Sequence, residues 1–398
     1  MTFTHASIVP LIGGETIGSH QAFGKPPEYF MSYEPFWAND QHIVNYYNNE
    51  IPYYVLDKGQ RPTNKVDVIS SVCPCAGLSM LSHGYGDHNE NNKWLIETAR
   101  FVLEEMRPKV FWGENAPGLA GKIGNNVRAQ MYKIGRDNGY SMSIYRTKSM
   151  LHGNPQVRER AFYFFWQGDK TPVMHYYNTP YKSIEQTILD ARGNTQQVPI
   201  NKKTPSQDPY YRFILEYIHN GMSHSEFSAM IEPSKARGND TFSYIEKMGY
   251  MYDQVSAWMR EKGYEKEAET CMRKFNKLAS GGQIMRRGTI VPKDYIGAFV
   301  SHYKVCLTHP IEDRYVTFRE AMSIMGLPDD FELLDPENCS NHICQNVPVQ
   351  TAKDMATEVL GWLNGERDEF NSTYTYQYNN TRTHEFGDIQ HNTLDAFL

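Results

Sequence analysis

Val66-Asp67-Val68-Ile69-Ser70-Ser71-Val72-Cys73-Pro74-Cys75-Ala76-Gly77-Leu78-Ser79 opens as a β-rich apolar run and breaks at Pro74. Proline lacks the backbone N–H that a strand interior needs, so the strand ends before it. A small-residue turn through Gly77 follows. A strand running into such a turn presents a side chain at the C-terminal edge of a sheet, where open α/β sheets bind their ligands. Cys75 occupies that place. It is either a nucleophile or an inert small residue at a turn, and the rest of the chain has to decide between the two.

Composition sets outer bounds. The chain has 398 residues, 40% hydrophobic and 13% aromatic, enough for a substantial core and two domains. A net charge of −6 excludes a bulk polycation, so any nucleic-acid surface must be a local concentration of positive charge. No apolar run follows a basic start, and no stretch reaches the length of a membrane span. The expectation is a soluble, cytoplasmic protein. Six cysteines are too few for a disulfide framework, and their spacing matches no zinc pattern, so free thiols and no metal are expected.

Residues 7–14, Ser-Ile-Val-Pro-Leu-Ile-Gly-Gly, resemble a first strand ending in the glycine pair Gly13-Gly14, with Gly18 in the helix beyond. Strand, glycine turn and helix together form a nucleotide-style half-site. Glu34 closes a second strand about 20 residues on, where such folds bind a ribose hydroxyl. Asp57 is a further loop acid. Both acids read equally well as solvated carboxylates. After Cys75 the stretch Ser82–Asn92 is loop-like, and Gly84 and Gly86 mark it as a mobile lid. Leu95, Ala99, Val102 and Met106 then share a helix face. Lys109–Gly113 reads as a buried strand that delivers Glu114 and Asn115 to the same sheet edge as Cys75. Arg158 and Arg160 alternate and point one way in an extended chain, which suits a phosphate or a base carbonyl, or an edge-strand salt bridge.

From about Lys170 the pattern becomes polar and helical. Tyr244, Met248, Met251, Val255 and Trp258 read as one long core stripe. Between Arg273 and Lys304 seven basic residues face one acid, and Arg286-Arg287-Gly288 resembles an exposed recognition loop. That run is either a phosphate-binding surface or a solvated face. Residues 352–363 form a strong helix, and from 365 onward the polar Asn/Thr/Tyr composition predicts a flexible tail.

Taken in order, these segments resemble the C5-cytosine DNA methyltransferase family. The resemblance rests on Pro74-Cys75-Ala76-Gly77-Leu78-Ser79, Glu114-Asn115-Ala116 and Gln156-Val157-Arg158-Glu159-Arg160. His309-Pro310 with Arg314–Glu320, Gly326–Phe331 and Gln345-Asn346-Val347-Pro348 complete it. The resemblance implies an α/β fold: an S-adenosylmethionine-dependent methyltransferase, Rossmann-like sheet with a second, variable target-recognition domain. The implied divisions are 1–169 catalytic, 170–304 target recognition, 305–364 return to the catalytic domain and 365–398 tail.

The implied activity is methyl transfer from S-adenosyl-L-methionine to carbon 5 of a flipped-out cytosine in double-stranded DNA, by a monomer in a bacterial or phage-infected cell. Cys75 would be the nucleophile, Glu114 the proton carrier, and Arg158 and Arg160 the groups that hold the base. Gly13, Gly14, Glu34, Asp57, Gln345 and Asn346 would meet the cofactor, and Ser79, Gln156, Arg286 and Arg287 the DNA. Three departures stand out. Pro10-Leu11 replaces the small residue and first glycine of the cofactor loop, Cys344-Gln345 alters the final motif, and Ala116 replaces a valine. They leave open a modified S-adenosylmethionine as donor, and a binding module without turnover. A transfer-RNA substrate, known from one branch of the family, also stays open.

Overall fold

The computed structural model describes residues 2–79, 84–231, 239–282, 284, 288–372 and 374–382. Backbone contacts divide them into two compact units. One comprises Met1–Tyr181, Met325–Asp335 and Gln345–Leu398, and the other Lys182–Ile324 and Pro336–Cys344.

The first unit is built on an eight-stranded sheet. Its strands are β1 (His5–Ile8), β2 (Phe30–Ser32), β3 (Tyr53–Val55), β4 (Val68–Ser71), β5 (Val110–Asn115), β6 (Tyr140–Lys148), β7 (Glu159–Gln167) and β8 (Tyr376–Asn380). Their spatial order is β8-β6-β7-β5-β4-β1-β2-β3. All neighbours run parallel except β7, which lies antiparallel between β5 and β6. The order reverses between β1 and β4, which is the switch point where such sheets open a crevice beyond their strand ends. Helices α1 (Gly14–Phe23), α2 (Trp37–Tyr46), α3 (Asn92–Phe101), α4 (Asn125–Asp137) and α5 (Val349–Leu363) belong to the same unit.

Strand β7 carries the densest part of the core. Phe162, Tyr163, Phe164, Phe165 and Trp166 are all fully buried. Phe164 stacks on Trp112 at 6.0 Å and Phe165 on Phe111 at 5.8 Å, cross-strand ring pairs that fix the β5–β7 register. In that register Asn115 stands opposite Ala161 and Glu114 opposite Phe162.

The chain beyond residue 365 corrects the expectation of a flexible tail, at least as far as residue 382. Glu369–Asn371 pairs with Lys170–Pro172, and β8 forms the edge of the main sheet beside β6. Tyr378 is buried, stacks on Tyr145 at 5.8 Å and donates its hydroxyl hydrogen to the Pro172 carbonyl. The alternation Tyr376, Tyr378, Asn380 is a period-2 strand signal hidden in a polar composition.

In the second unit Tyr211, Phe213, Phe227, Phe242, Ile245, Val255, Met259 and Cys271 form the core. The long stripe expected over 244–258 is broken. One helix, Thr241–Lys247, is followed by a turn through Gly249 (φ 81°), and a second, Tyr252–Glu261, begins anew, leaving Met248 and Met251 exposed. The unit also takes in residues beyond the expected boundary at 304. Thr308 N–H donates to Ile290 O at 2.9 Å, and Ile200 N–H to Val316 O at 3.0 Å.

Replacing buried Tyr378 by alanine should cost about 3–5 kcal/mol of unfolding free energy, the range for a large buried ring. Replacing Tyr374, 79% exposed, should stay within about 0.5 kcal/mol. Urea unfolding of the two variants checks this; equal, small effects would return the segment to a tail.

Candidate active site

Three loops at the C-terminal edge of the sheet are tied to one another by hydrogen bonds. Val72 N–H, just past β4, donates to Val9 O, just past β1, at 3.3 Å. Asn115, at the end of β5, donates its side-chain amide to Cys73 O at 3.3 Å. The turn itself closes with Leu78 N–H on Cys75 O at 3.1 Å. Gly77 is required there, since a Cβ would lie 2.2 Å from Asn92 Oδ1.

The two cysteines of this loop differ. Cys73 is buried beside Ser71 Oγ at 3.2 Å, and burial pushes its thiol up to about 11, which makes it inert. Cys75 is only partly covered. Burial raises its thiol pKa, Arg160 pulls it down, Glu114 pushes it up and Arg158 pulls it down. All three charges act on one sulfur, so the four side chains share one locale.

Glu114 reaches that locale because Gly113 precedes it. A Cβ at Gly113 would lie 2.5 Å from Ser71 O and 2.3 Å from Tyr163 Oη, so only glycine lets β5 press this closely on its neighbours. Glu114 is 3% exposed. Burial raises its pKa, and Arg160 and Arg158 oppose the rise. Its Oε1 sits 2.5 Å from Arg160 Nε in an ion pair whose atoms are not aligned for a hydrogen bond. Arg160 also donates to Glu159 O at 2.7 Å. Arg158 is buried, and its carbonyl accepts from Ser149 N–H at 2.9 Å. Arg160 thus lies against Glu114, and both arginines lie close enough to Cys75 to act on its sulfur. Gln156, expected at the DNA, is instead fully buried with its amide on Met325 Sδ at 3.3 Å. Ser79 is half-buried. Arg286 and Arg287 lie outside the described residues, as do Ser82 and His83 of the expected lid. The remainder of that segment is folded back. Gly86 N–H donates to Gly77 O at 2.8 Å, and Asp87 accepts from Asn126 and Val127 N–H at the start of α4.

On the other side of the switch point, the loop of residues 9–13 leads into α1. Gly13 takes φ 97° and presses on Ile43, where a Cβ would come within 2.4 Å. Gly14 N–H donates to Asn346 Oδ1 at 2.8 Å, and a Cβ on Gly14 would collide with the same side chain. A Cβ on Gly18 would lie 2.7 Å from Ala352 Cβ of α5. The bare faces of these glycines therefore meet protein, not an open cleft.

The last motif does pack on the first. Gln345 is exposed and accepts from Asn39 at 2.9 Å. Asp57 accepts the Glu34 N–H at 3.0 Å, so it holds the backbone of the other acid. Glu34 itself is exposed and paired with Lys58 Nζ at 2.6 Å. Beside them is an open groove of ≈ 560 Å³ lined by Glu34, Trp37, Tyr53, Val55, Lys58 and Gln60. Trp37 is 48% exposed and packs its ring at right angles to that of Tyr53, centroids 5.1 Å apart. Sequence reasoning missed Trp37 and Lys58. Their signal is local: an aromatic three residues past Glu34 and a cation next to Asp57.

A profile of C-5 cytosine-specific DNA methylases matches residues 12–361. M.MjaORF1200P of Methanocaldococcus jannaschii is 26% identical over 73% of this chain and 64% of its own length. The type II methyltransferase M.PspPI of a Psychrobacter species is 25% identical over 75% of this chain and 65% of its own. The chain thus spans just under two thirds of these relatives. Among solved structures, the Entamoeba histolytica methyltransferase EhMeth superposes with a TM-score of 0.53, at 12% identity, over 91% of this chain and 99% of that one. A likeness at that identity speaks for the fold alone. The family match covers most of the chain, including every strand of the sheet between β2 and β7, and on that ground the chain belongs to the C-5 cytosine-specific DNA methylase family.

Proposed function

We propose that the chain methylates carbon 5 of cytosine in double-stranded DNA, using S-adenosylmethionine. The observation that carries this reading is the clustering of one thiol, one buried carboxyl and two guanidiniums at neighbouring strand ends.

Carbon 5 of cytosine is too electron-poor to attack an electrophile. Addition of the Cys75 thiolate to carbon 6 forms an S–C bond and moves the ring electrons onto carbon 5. Glu114 donates a proton to ring nitrogen 3 and so accepts the charge that builds there. A carboxyl whose pKa burial raises suits that role. Arg160, paired with Glu114 in the free protein, can turn its remaining donors to the base carbonyl, and Arg158 adds positive charge that favours the thiolate. Once carbon 5 carries the methyl group, loss of its proton to a base, return of the nitrogen-3 proton to Glu114 and expulsion of the Cys75 thiolate restore the aromatic ring. A stacked base cannot reach these groups, so the target must leave the duplex, at a cost of about a few kcal/mol.

The groove beside Glu34 fits the nucleoside end of the cofactor: a carboxylate for ribose hydroxyls and the Trp37 ring for a purine face. When bound, S-adenosylmethionine supplies an electrophilic methyl group. Asn346 and Asp57 act one step back, by holding Gly14 and Glu34. Arg286 and Arg287 belong to the proposed DNA surface.

Transfer of tritiated methyl groups to unmodified genomic DNA, with nucleoside mass spectrometry of the product, tests the proposal; label found only in transfer RNA, or none, would overturn it. Cys75→Ser should abolish transfer and leave DNA binding intact. Glu114→Gln should lower single-turnover transfer by roughly 10²–10⁴-fold, the range for lost general-acid help.

The same pair sets a pH signature. Glu114 raises the Cys75 pKa, so Glu114→Gln should shift Cys75 alkylation to lower pH. Arg160 lowers it, so Arg160→Met should shift alkylation to higher pH. Mass-resolved iodoacetamide labelling across pH reads both, and shifts of the opposite sign would separate these groups from the thiol. Replacing Arg286 and Arg287 by alanine should flatten the log–log salt dependence of DNA binding by about 1.8, two phosphate contacts' worth. An unchanged slope would move the DNA surface elsewhere.

A further inference from the structure

Helix α2 holds the two walls of the proposed cofactor groove together from behind. Its first residue, Trp37, lines the groove. One turn on, Asp40 is fully buried. Asp40 Oδ1 accepts the Leu11 N–H at 2.9 Å, and Oδ2 accepts the Tyr53 hydroxyl at 2.7 Å. Three residues further, on the same face, Ile43 fills the space that a side chain at Gly13 would need. The carboxylate therefore joins the loop after β1 to Tyr53 of β3, a wall of the groove.

The loop it grips is strained. Val9 (φ 53°) and Leu11 (φ 51°) both adopt left-handed backbone, a region that branched and bulky side chains avoid. Such residues persist only where their surroundings over-determine them, at a cost of about 1–3 kcal/mol each. Val9 is held through Met31 O at 2.8 Å and through Val72 N–H. Leu11 N–H is held by Asp40.

We propose that Asp40 is a positioning residue for cofactor binding: its carboxylate fixes the strained Leu11 backbone and the Tyr53 hydroxyl, and so sets the distance between the glycine loop and the Glu34–Trp37 groove. This rests on the function proposed above. It also gives the Pro10-Leu11 departure a physical account. Where the sequence lacks a glycine to adopt left-handed backbone freely, a buried acid from the next helix holds leucine there instead.

Calorimetric binding of S-adenosylmethionine to the full chain tests it, with kcat and KM measured on unmodified genomic DNA. Asp40→Ala should raise Kd and KM for S-adenosylmethionine about tenfold or more, the size of one or two lost buried hydrogen bonds, with kcat at saturating cofactor within about threefold. Asp40→Asn still accepts from Leu11 and can donate to Tyr53, and should restore Kd to within about threefold. Tyr53→Phe, which leaves the Leu11 bond, should fall between them. If Asp40→Ala does not fold, the other two variants decide. Variants that lose melting temperature but bind like the wild type would overturn the proposal, leaving Asp40 a purely structural group. A wild-type chain that binds no S-adenosylmethionine would instead remove the proposed function, and Asp40's ligand with it.

Discussion

The arrangement on which the rest depends is the antiparallel placement of β7 beside β5. In a wholly parallel sheet every strand leaves at the same edge, and a residue at a strand's start sits at the far side from the ligand crevice. Because β7 enters the sheet where β5 leaves it, Arg158 and Arg160 arrive at the edge that also receives Glu114 and Cys75. The aromatic ladder of Phe162–Trp166 fixes that register. A slip of one residue would break the Phe164–Trp112 and Phe165–Phe111 stacks, so the guanidinium is held against Glu114 by the packing of five buried rings as well as by the ion pair itself. The pair is buried and poorly aligned, and a buried ion pair is weak ground for stability. Its use lies in the charge it places beside a thiol.

The interior near the switch point is unusually polar for a parallel sheet, whose strands ordinarily read as unbroken apolar runs. Ser7, Ser32, Ser70 and Ser71 are all buried on β1, β2 and β4. Glu15, fully buried in the first turn of α1, takes hydroxyl hydrogens from Ser7 at 2.8 Å and Ser19 at 2.9 Å, and burial raises its carboxyl pKa. Asp40 plays the matching part on the other side of the glycine loop. Both acids are satisfied by neutral donors from different elements. They knit strands, helix and loop where the mean packing alone would leave the backbone free to choose.

Much of this was legible in the chain itself, for physical reasons that differ from residue to residue. Cys75 and Glu114 were visible because an apolar run stopped by Pro74, or by Gly113, has to surface at a sheet edge. Arg158 and Arg160 were visible as a shared face, but nothing local says that their strand runs backwards. The glycines read as a cradle for a ligand, whereas their missing side chains make room for Ile43, Asn346 and Ala352, contacts that arise only when distant segments meet. Asp40 was illegible because an acid in a helix ordinarily marks the solvent face. Gln156 was placed at the DNA by the resemblance, and its buried contact with Met325 arises only when distant segments meet. Tyr376–Asn380 was lost because composition, averaged over a polar stretch, hides a two-residue rhythm.

The edge strand β8 has a consequence for how the molecule is made. It follows β6 only after the whole of the second unit has been translated. While the ribosome builds those intervening residues, the rim of the nascent sheet beside Ser143–Thr147 carries bare amides and carbonyls, the kind of surface that recruits a stray strand from another chain. That rim stays open until its own closing strand has been made.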